Sequence, residues 1–431
     1  VLSAFFVGLV LLSVLAAAFT GHMDAVSDSV LDSARKAVDL ALGFVGAMTL
    51  FLGLVKIAED GGLLRIVARA VAPVMRRLFP DVPSDHPAMS AMILNIASNF
   101  LGLGNAATPF GIRAMQELDR LNPAPGTATN AMVLFLAINT AGLALVPTTV
   151  LALRASAGSK DPAGILAATW FASGCAAVGG ILAATLLARL PRFRMAAGVA
   201  GSGAAPAPAQ ADPVPPAVAA GKVRGSVAIG LGVLLVAGLA FDIGRQADTR
   251  GAAEIARSVL SSWSIPLLLA SFVLFGWVRG VKVFESFVEG AKDGFHVALR
   301  IIPYLVGLLV AIGMFRASGG LDAFVRTLSP LTLPLGLPAE AVPLAVLRPL
   351  SGSGSLAVLG EILSAHGPDS YLGNLASTMQ GATDTTFYVL AVYFGAVGIR
   401  RTRHAVLAGL AADACGLAAA VAVARFLWSS G

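Results

Sequence analysis

The stretch STMQGATDTTFYVLAVYFGAVG, residues 377–398, decides how this chain is read. Its second half is apolar enough to lie in a bilayer, yet its first half holds Ser377, Thr378, Gln380, Thr383, Asp384, Thr385 and Thr386. In hydrocarbon every backbone NH and C=O needs a partner, so a helix breaks there only where protein or water replaces the lost bonds. A polar, glycine-bearing patch inside an apolar run therefore implies a cavity. A helix unwound around Gly381 exposes carbonyls and turns Gln380, Thr383, Asp384, Thr385 and Thr386 toward the lumen of a helical bundle.

The composition agrees. Of 431 residues 57% are apolar and only 13% charged, and the mean hydropathy is +0.82, the values of an integral membrane protein. Runs of roughly 20 apolar residues span the hydrocarbon as helices. Such runs lie at about 1–19, 38–56, 127–147, 163–190, 225–242, 263–278, 297–315 and 404–428. The first has no basic segment ahead of it and reads as a helix rather than a signal peptide. Two amphipathic stretches, residues 25–38 and 281–295, read as interfacial helices just before two of the spans.

Several function classes recede. Cys175 and Cys415 sit among Ala and Gly with neither disulfide nor metal spacing. The formal charge of +6 is spread over loops without a basic stripe interleaved with aromatics, so no nucleic-acid partner is expected. His22, His86, His296, His366 and His404 read as surface residues, and no pair has ligand spacing. The run SGSGS lacks the Lys-Ser/Thr ending of a phosphate loop. The chain reads as a non-enzyme, with no cofactor expected beyond a Na⁺ or H⁺ coupling ion.

Residues 191–224 are Pro/Ala-rich and read as an extended linker. The linker divides a first half, 1–190, from an added span with its connection, 225–262, and a second half, 263–431. DGGLLRIVARAVAPVMRRLFP (60–80) and SGGLDAFVRTLSPLTLPLGLP (318–338) align at one constant offset, matching Gly61, Gly62, Leu63, Val67 and Pro80 to Gly319, Gly320, Leu321, Val325 and Pro338. A Gly-rich patch, a Thr-rich patch and one clean span follow each phrase. Lys and Arg collect on the cytoplasmic side. Arg65, Arg69, Arg76 and Arg77 therefore place the first phrase inside. Three spans separate the linker from the second phrase, which puts that phrase outside. The fold expected is all-α: a polytopic membrane protein with two inverted repeats and discontinuous transmembrane helices.

The interruptions supply the candidate site. Gly102, Gly104 and Pro109 permit breaks in the first half, as do Pro349, Gly352, Gly354 and Gly381 in the second. Asn99, Asn105, Thr108, Asn139 and Thr148 join Arg348, Ser351, Ser353, Gln380, Thr383, Asp384 and Thr385 as candidate solute-binding residues. An ionisable group at membrane depth costs about 2.5–3.5 kcal/mol on insertion scales and marks function by default. Asp384 reads as a proton or sodium site, or as partner to a cationic substrate group. Arg348 reads as a bidentate anchor for a carboxylate or phosphate. A purely structural Arg348–Asp384 pair stays open as the alternative. Arg113 and Arg154 read as interface anchors.

These residues resemble a known family. HPAMSAMILNIASNFLGLGNAATPFGIRAMQELDRLN (86–122), KIAEDGGLLRI (56–66) and FLAINTAGLALVPTTVLALR (135–154) look like the spore maturation protein A family. VKVFESFVEGAKDGFHVALRIIPYLVGLL (281–309), RPLSGSGSL (348–356) and LGNLASTMQGATDTTFYVLAVYFGAVGIR (372–400) look like the spore maturation protein B family. Both resemble the gate, or nucleoside recognition, domain family, also found in concentrative nucleoside transporters and a bacterial ferrous iron permease. The resemblance implies a fusion of the two with a membrane permease fold and nucleoside-like or ionic cargo. It carries over Asn99, Gly104, Asn105, Thr108 and Pro109 on one side. On the other it carries Arg348, Ser351, Gly352, Ser353, Gln380, Thr383, Asp384 and Thr385.

The reading is a multi-pass inner (plasma) membrane secondary transporter of a small polar or anionic solute, working by alternating access with Na⁺ or H⁺ coupling. An ion or metal permease, a lipid or cell-wall precursor flippase and a non-transporting scaffold in spore or envelope maturation are the alternatives. The expected partners are the lipid bilayer and a small-molecule solute, with a homo-oligomer left open.

Overall fold

The computed structural model describes residues 2–102, 107–193, 222–247, 252–332, 334 and 336–428. Its elements are helices in the order α1 Leu2–Thr20, α2 Met23–Asp60, α3 Leu63–Leu78, α4 Pro87–Phe100, α5 Ala107–Arg120, α6 Asn130–Thr140, α7 Thr148–Ser156 and α8 Leu166–Leu187. There follow α9 Lys222–Ala247, α10 Ala252–Val278, α11 Val283–Ala317, α12 Gly320–Thr332, α13 Val342–Leu347, α14 Gly352–His366, α15 Tyr371–Ala382, α16 Thr386–Gly395 and α17 Ala405–Trp428. The order of α1 to α8 recurs in α10 to α17, with α9 between.

Among the described residues four helices are long and apolar enough to cross a membrane: Met23–Asp60, Pro162–Leu187, Val283–Ala317 and Ala405–Trp428. Phe6–Thr20, Asn130–Thr140 and Ile265–Val278 are shorter apolar helices. The chain is thus an all-α, multi-pass membrane protein with several discontinuous helices. Most of the expected linker lies outside the described residues, and α9 begins at Lys222, inside its far boundary.

Two expectations need correction. The amphipathic stretches 25–38 and 281–295 are not separate interfacial helices. Neither is followed by a stop signal, so each continues into the next span, giving α2 38 residues and α11 35. The run 127–147 is not one span either. Its helix ends after 11 residues, where Gly142 takes φ +57°, a left-handed conformation that glycine alone adopts freely.

The long helices pair antiparallel, and glycines set how closely. A Cβ on Gly53 would lie 2.6 Å from the Phe287 ring, one on Gly294 2.5 Å from the Met48 carbonyl, and one on Gly313 2.1 Å from Ser33 Oγ. α2 and α11 therefore touch backbone to backbone along their length, as small residues allow in membranes. α8 and α17 do the same through Gly179 against Cys415, Gly180 against Ala412 and Gly416 against Ala176. α1 packs on α11 while α10 packs on α2, and α6 packs on α17 while α15 packs on α8. α1 and α10 thus lean mainly on the long helix of the other half, while α6 and α15 each pack on both α8 and α17.

Two apolar cores hold the bundle. One gathers Phe44, Met48, Leu153, Leu305 and Leu359 around α2, α7, α11 and α14. The other gathers Met92, Met115, Phe135, Tyr393 and Phe394 around α4, α5, α6 and α16. Three of the short helices, α6, α14 and α15, start on side-chain caps: Thr129 Oγ1 accepts from the Met132 amide at 3.2 Å, Ser351 Oγ from Gly354 at 3.0 Å and Ser370 Oγ from Gly373 at 3.0 Å. These caps fix where each half-helix points.

Candidate functional site

Four interruptions lie between α4 and α5, α6 and α7, α13 and α14, and α15 and α16. Their freed backbone groups satisfy one another, as a hydrocarbon surround demands, mostly within each half and at one point across the halves. The Leu145 amide donates to the Phe100 carbonyl (2.5 Å), the Asp384 amide to the Thr140 carbonyl (2.6 Å) and the Phe387 amide to the Pro349 carbonyl (3.0 Å). Trp170 Nε1 donates to the Leu145 carbonyl (2.8 Å). At Gly142 a Cβ would sit 2.7 Å from the Thr383 carbonyl carbon. The broken helices of the two halves touch there.

Between them lies a cavity of about 600 Å³. Of the candidate residues it brings together Asn99, Thr148, Arg348, Ser351, Ser353, Gln380, Thr383, Asp384 and Thr385. Asn105 lies outside the described residues. Thr108 is in the first turn of α5, away from the lining. Asn139 stands behind the wall, 3% exposed. Its Oδ1 accepts from Asn99 Nδ2 at 2.8 Å and from Tyr393 OH at 3.4 Å.

The break near Gly381 falls two residues late. α15 stays helical through Ala382, and the extended residues are Thr383 (φ −138°, ψ 169°) and Thr385 (φ −82°, ψ 97°). Gly381 serves packing instead, since a Cβ there would lie 2.7 Å from Thr169 on α8.

Arg348 follows α13 and donates from one Nη to Thr385 Oγ1 (3.2 Å) and from the other to the Thr383 carbonyl. It does not close an ion pair with Asp384. The Asp384 Oδ1 instead accepts from the Thr385 amide at 2.7 Å, and the residue is exposed to the cavity. The N-termini of α7, α14 and α16 also open here, through Thr148 and Thr149, Ser351 to Ser353, and Thr385. Helix N-termini carry partial positive charge and present free NH groups, which suits an anionic or hydrogen-bond-accepting group.

Sequence reasoning missed several residues of this region. Tyr304 and Tyr388 line the cavity, and Tyr393 backs it, stacked on Phe135 at 5.9 Å and accepting from Asn95 Nδ2 at 3.1 Å. A polar ring tip inside an apolar run was the available signal. Asp413 on α17 was missed too, although a lone acid in a clean span carries the signal that singled out Asp384.

Two basic or titratable residues also sit differently from expectation. Arg154 is no interface anchor but 1% exposed, donating to the carbonyls of Pro162, Pro368 and Asp161. His404 is fully buried rather than superficial.

The nucleoside recognition (Gate) family matches residues 41–157 and 298–400, slightly more than half of the chain. The chain belongs to the nucleoside recognition (Gate) family. Each Gate segment runs from about the middle of a long helix to just past a broken pair, so all four interruptions fall within the two segments. The chain is 49% identical over 171 residues to spore maturation protein B of Bacillus subtilis, covering 40% of this chain and 96% of that protein. It is 40% identical over 176 residues to spore maturation protein A of the same organism, covering 41% of this chain and 90% of that protein. This Gate chain joins a relative of each in one polypeptide. No solved structure matches it.

Proposed function

We propose that this Gate-family chain is an inner-membrane secondary transporter of a small polar or anionic solute, nucleoside-like in size, with two inverted repeats that alternate access to the cavity. One observation carries the reading: residues from all four interruptions meet on a single polar cavity walled by both halves, the arrangement by which transporters expose a mid-membrane site. The antiparallel pairs α2 with α11 and α8 with α17 support the inversion, because each pair joins helices of the same rank in the two halves. The repeats would occupy 1–190 and 263–431. Coupling to Na⁺ or H⁺ belongs to the same proposal.

In this reading the Arg348 guanidinium and the helix N-termini meet the solute's acceptor groups, while Gln380, Ser351 and Ser353 read its hydroxyls and Tyr304 and Tyr388 cover its flat or apolar face. Thermal unfolding of the purified protein against nucleosides, nucleotides, dicarboxylates and amino acids tests it, because a ligand that binds only the folded state raises the transition. Arg348→Gln is expected to weaken an anionic hit far more than a neutral one. Equal weakening would assign Arg348 to structure. Absence of solute uptake into proteoliposomes for every stabilising compound would remove transport from the proposal.

A further inference from the structure

A second, smaller cavity of about 200 Å³ lies on the other side of Arg348, lined by Arg348, Thr383 and Asp413 together with apolar residues of α15 and α17. Among the described residues no lysine or arginine lies within ion-pair distance of Asp413. Its Oδ2 accepts from Thr386 Oγ1 at 2.5 Å, while its Oδ1 is buried without a partner. Thr140 is fully buried and its hydroxyl also lacks a partner. The hydroxyls of Thr140 and Thr386 converge on Gly409, one turn before Asp413, at 3.6 and 3.4 Å from a Cβ built there. Four oxygen-bearing side chains thus gather where α6 and α15 end against α17.

Hard oxygen donors beside helix C-termini are the surroundings in which membrane proteins hold Na⁺ or H⁺. The charges agree. Arg348 and Asp384 are the charged groups facing Asp413; α6 carries no titratable residue, α8 only Cys175, α15 only Tyr371, and α16 only Tyr388 and Tyr393. Arg348 is held by the Thr383 carbonyl and the Thr385 hydroxyl, which leaves the Asp413 carboxylate free to be met by a monovalent cation.

We infer that Asp413, with the hydroxyls of Thr386, Thr140 and Thr383 around it, binds a monovalent cation, the coupling ion of the transport reading above, while Asp384 faces the solute. The inference rests on that reading for its purpose and not for its test. Asp413 borders Thr383, whose carbonyl holds Arg348 in the solute cavity, so occupancy at Asp413 bears directly on the solute-binding guanidinium.

The test uses the full chain in nanodiscs of neutral lipid with no solute present. NaCl replaces choline chloride at constant ionic strength, and the titration is repeated across pH. Wild type and Asp384→Asn are expected to unfold at higher temperature as Na⁺ rises, and Asp413→Asn to show no such shift. A shift driven by acid alone, lost in Asp413→Asn, would identify the cation as a proton. Thr386→Val keeps the carboxylate and is expected to need several-fold more cation for half the shift, which decides the matter if Asp413→Asn does not fold. The inference is overturned if Asp413→Asn responds like wild type, if Asp384→Asn loses the response, if Thr386→Val leaves it unchanged, or if wild type answers neither ion. Failure of solute binding leaves this readout untouched.

Discussion

The Asp384 amide donates to the Thr140 carbonyl over 2.6 Å, so the end of one broken helix in the first half is capped by the break of its counterpart in the second. Neither interruption is stable alone, since each leaves polar backbone in a low-dielectric setting. Gly142 permits the approach, with φ +57° and room for nothing larger than hydrogen against Thr383 and Asp384. Gly142→Ala is therefore expected to cost about 1–2 kcal/mol for the left-handed backbone alone, and more for the clash. Thermal unfolding in detergent should show a clearly lowered transition, whereas Gly395→Ala, with open space around it, should stay near wild type.

Arg154 ties the halves together at one end of the bundle. From a fully buried position its Nη1 reaches the Pro368 carbonyl (2.7 Å) and Ser377 Oγ (3.3 Å), and its Nη2 reaches Asp369 Oδ1 (3.1 Å). Arg154→Gln leaves several carbonyls without a charged donor, each worth about 1–3 kcal/mol, and is expected to destabilise by at least ~3 kcal/mol. Arg154→Lys should recover less than half, because one ammonium cannot span the fork. Asp369→Asn should cost within ~1 kcal/mol, the carboxylate being 39% exposed. Comparable losses for Asp369→Asn and Arg154→Gln would show that the ion pair, not the carbonyl set, is the tie.

How much of this was legible beforehand follows from what each signal measures. Hydropathy located α2, α8, α11 and α17, because a long apolar run has one solution in a bilayer. The polar patches located the interruptions, because hydrocarbon tolerates them only at a cavity. The residue at which each helix ends was not legible. Gly381 signals a break as readily as it signals a close crossing, and only its neighbour Thr169 decides. Asn139 and Arg154 were likewise ambiguous: a polar side chain in a span either faces a cavity or fastens helices, and partners from distant sequence settle which. Tyr393 lay in the apolar half of the interrupted stretch 377–398 and Asp413 in a run that read as an uninterrupted span, where apolar neighbours outweighed a single polar group.

His404 gives the structure a pH dependence. It lies just ahead of α17, its Nε2 is 3.0 Å from the Ala184 carbonyl, and its ring rests on Phe193 at 5.6 Å. Burial, and then the neighbouring Arg403 guanidinium, hold its imidazole below the ordinary histidine range. The unfolded chain therefore takes up a proton first. The stability this group contributes is full above about pH 6.5 and is lost as pH falls from there through the lower folded value. His404→Gln retains a donor for Ala184 and does not titrate. The difference in unfolding temperature between wild type and His404→Gln should therefore be flat above neutrality and change steadily in moderate acid. A difference that is constant across the range would mean His404 does not titrate on unfolding.

The proposed inversion of the two halves makes a prediction about sides. α3 presents Arg69, Arg76 and Arg77 as exposed residues, whereas exposed positions of α12 include Asp322 against Arg326. Positive charge holds a loop in the cytoplasm and acidic residues count for little, so α3 should lie inside and its counterpart α12 outside. Ala70 and Ala323 are exposed on these two helices, and cysteine at either place removes no charge. In a background with Cys175 and Cys415 replaced by alanine, a membrane-impermeant maleimide added to intact spheroplasts should label Ala323→Cys at once and Ala70→Cys only after permeabilisation. Labelling of both from the same side would make the halves parallel. That outcome would contradict the antiparallel packing of α2 on α11, which sets α3 and α12 at opposite ends of the pair.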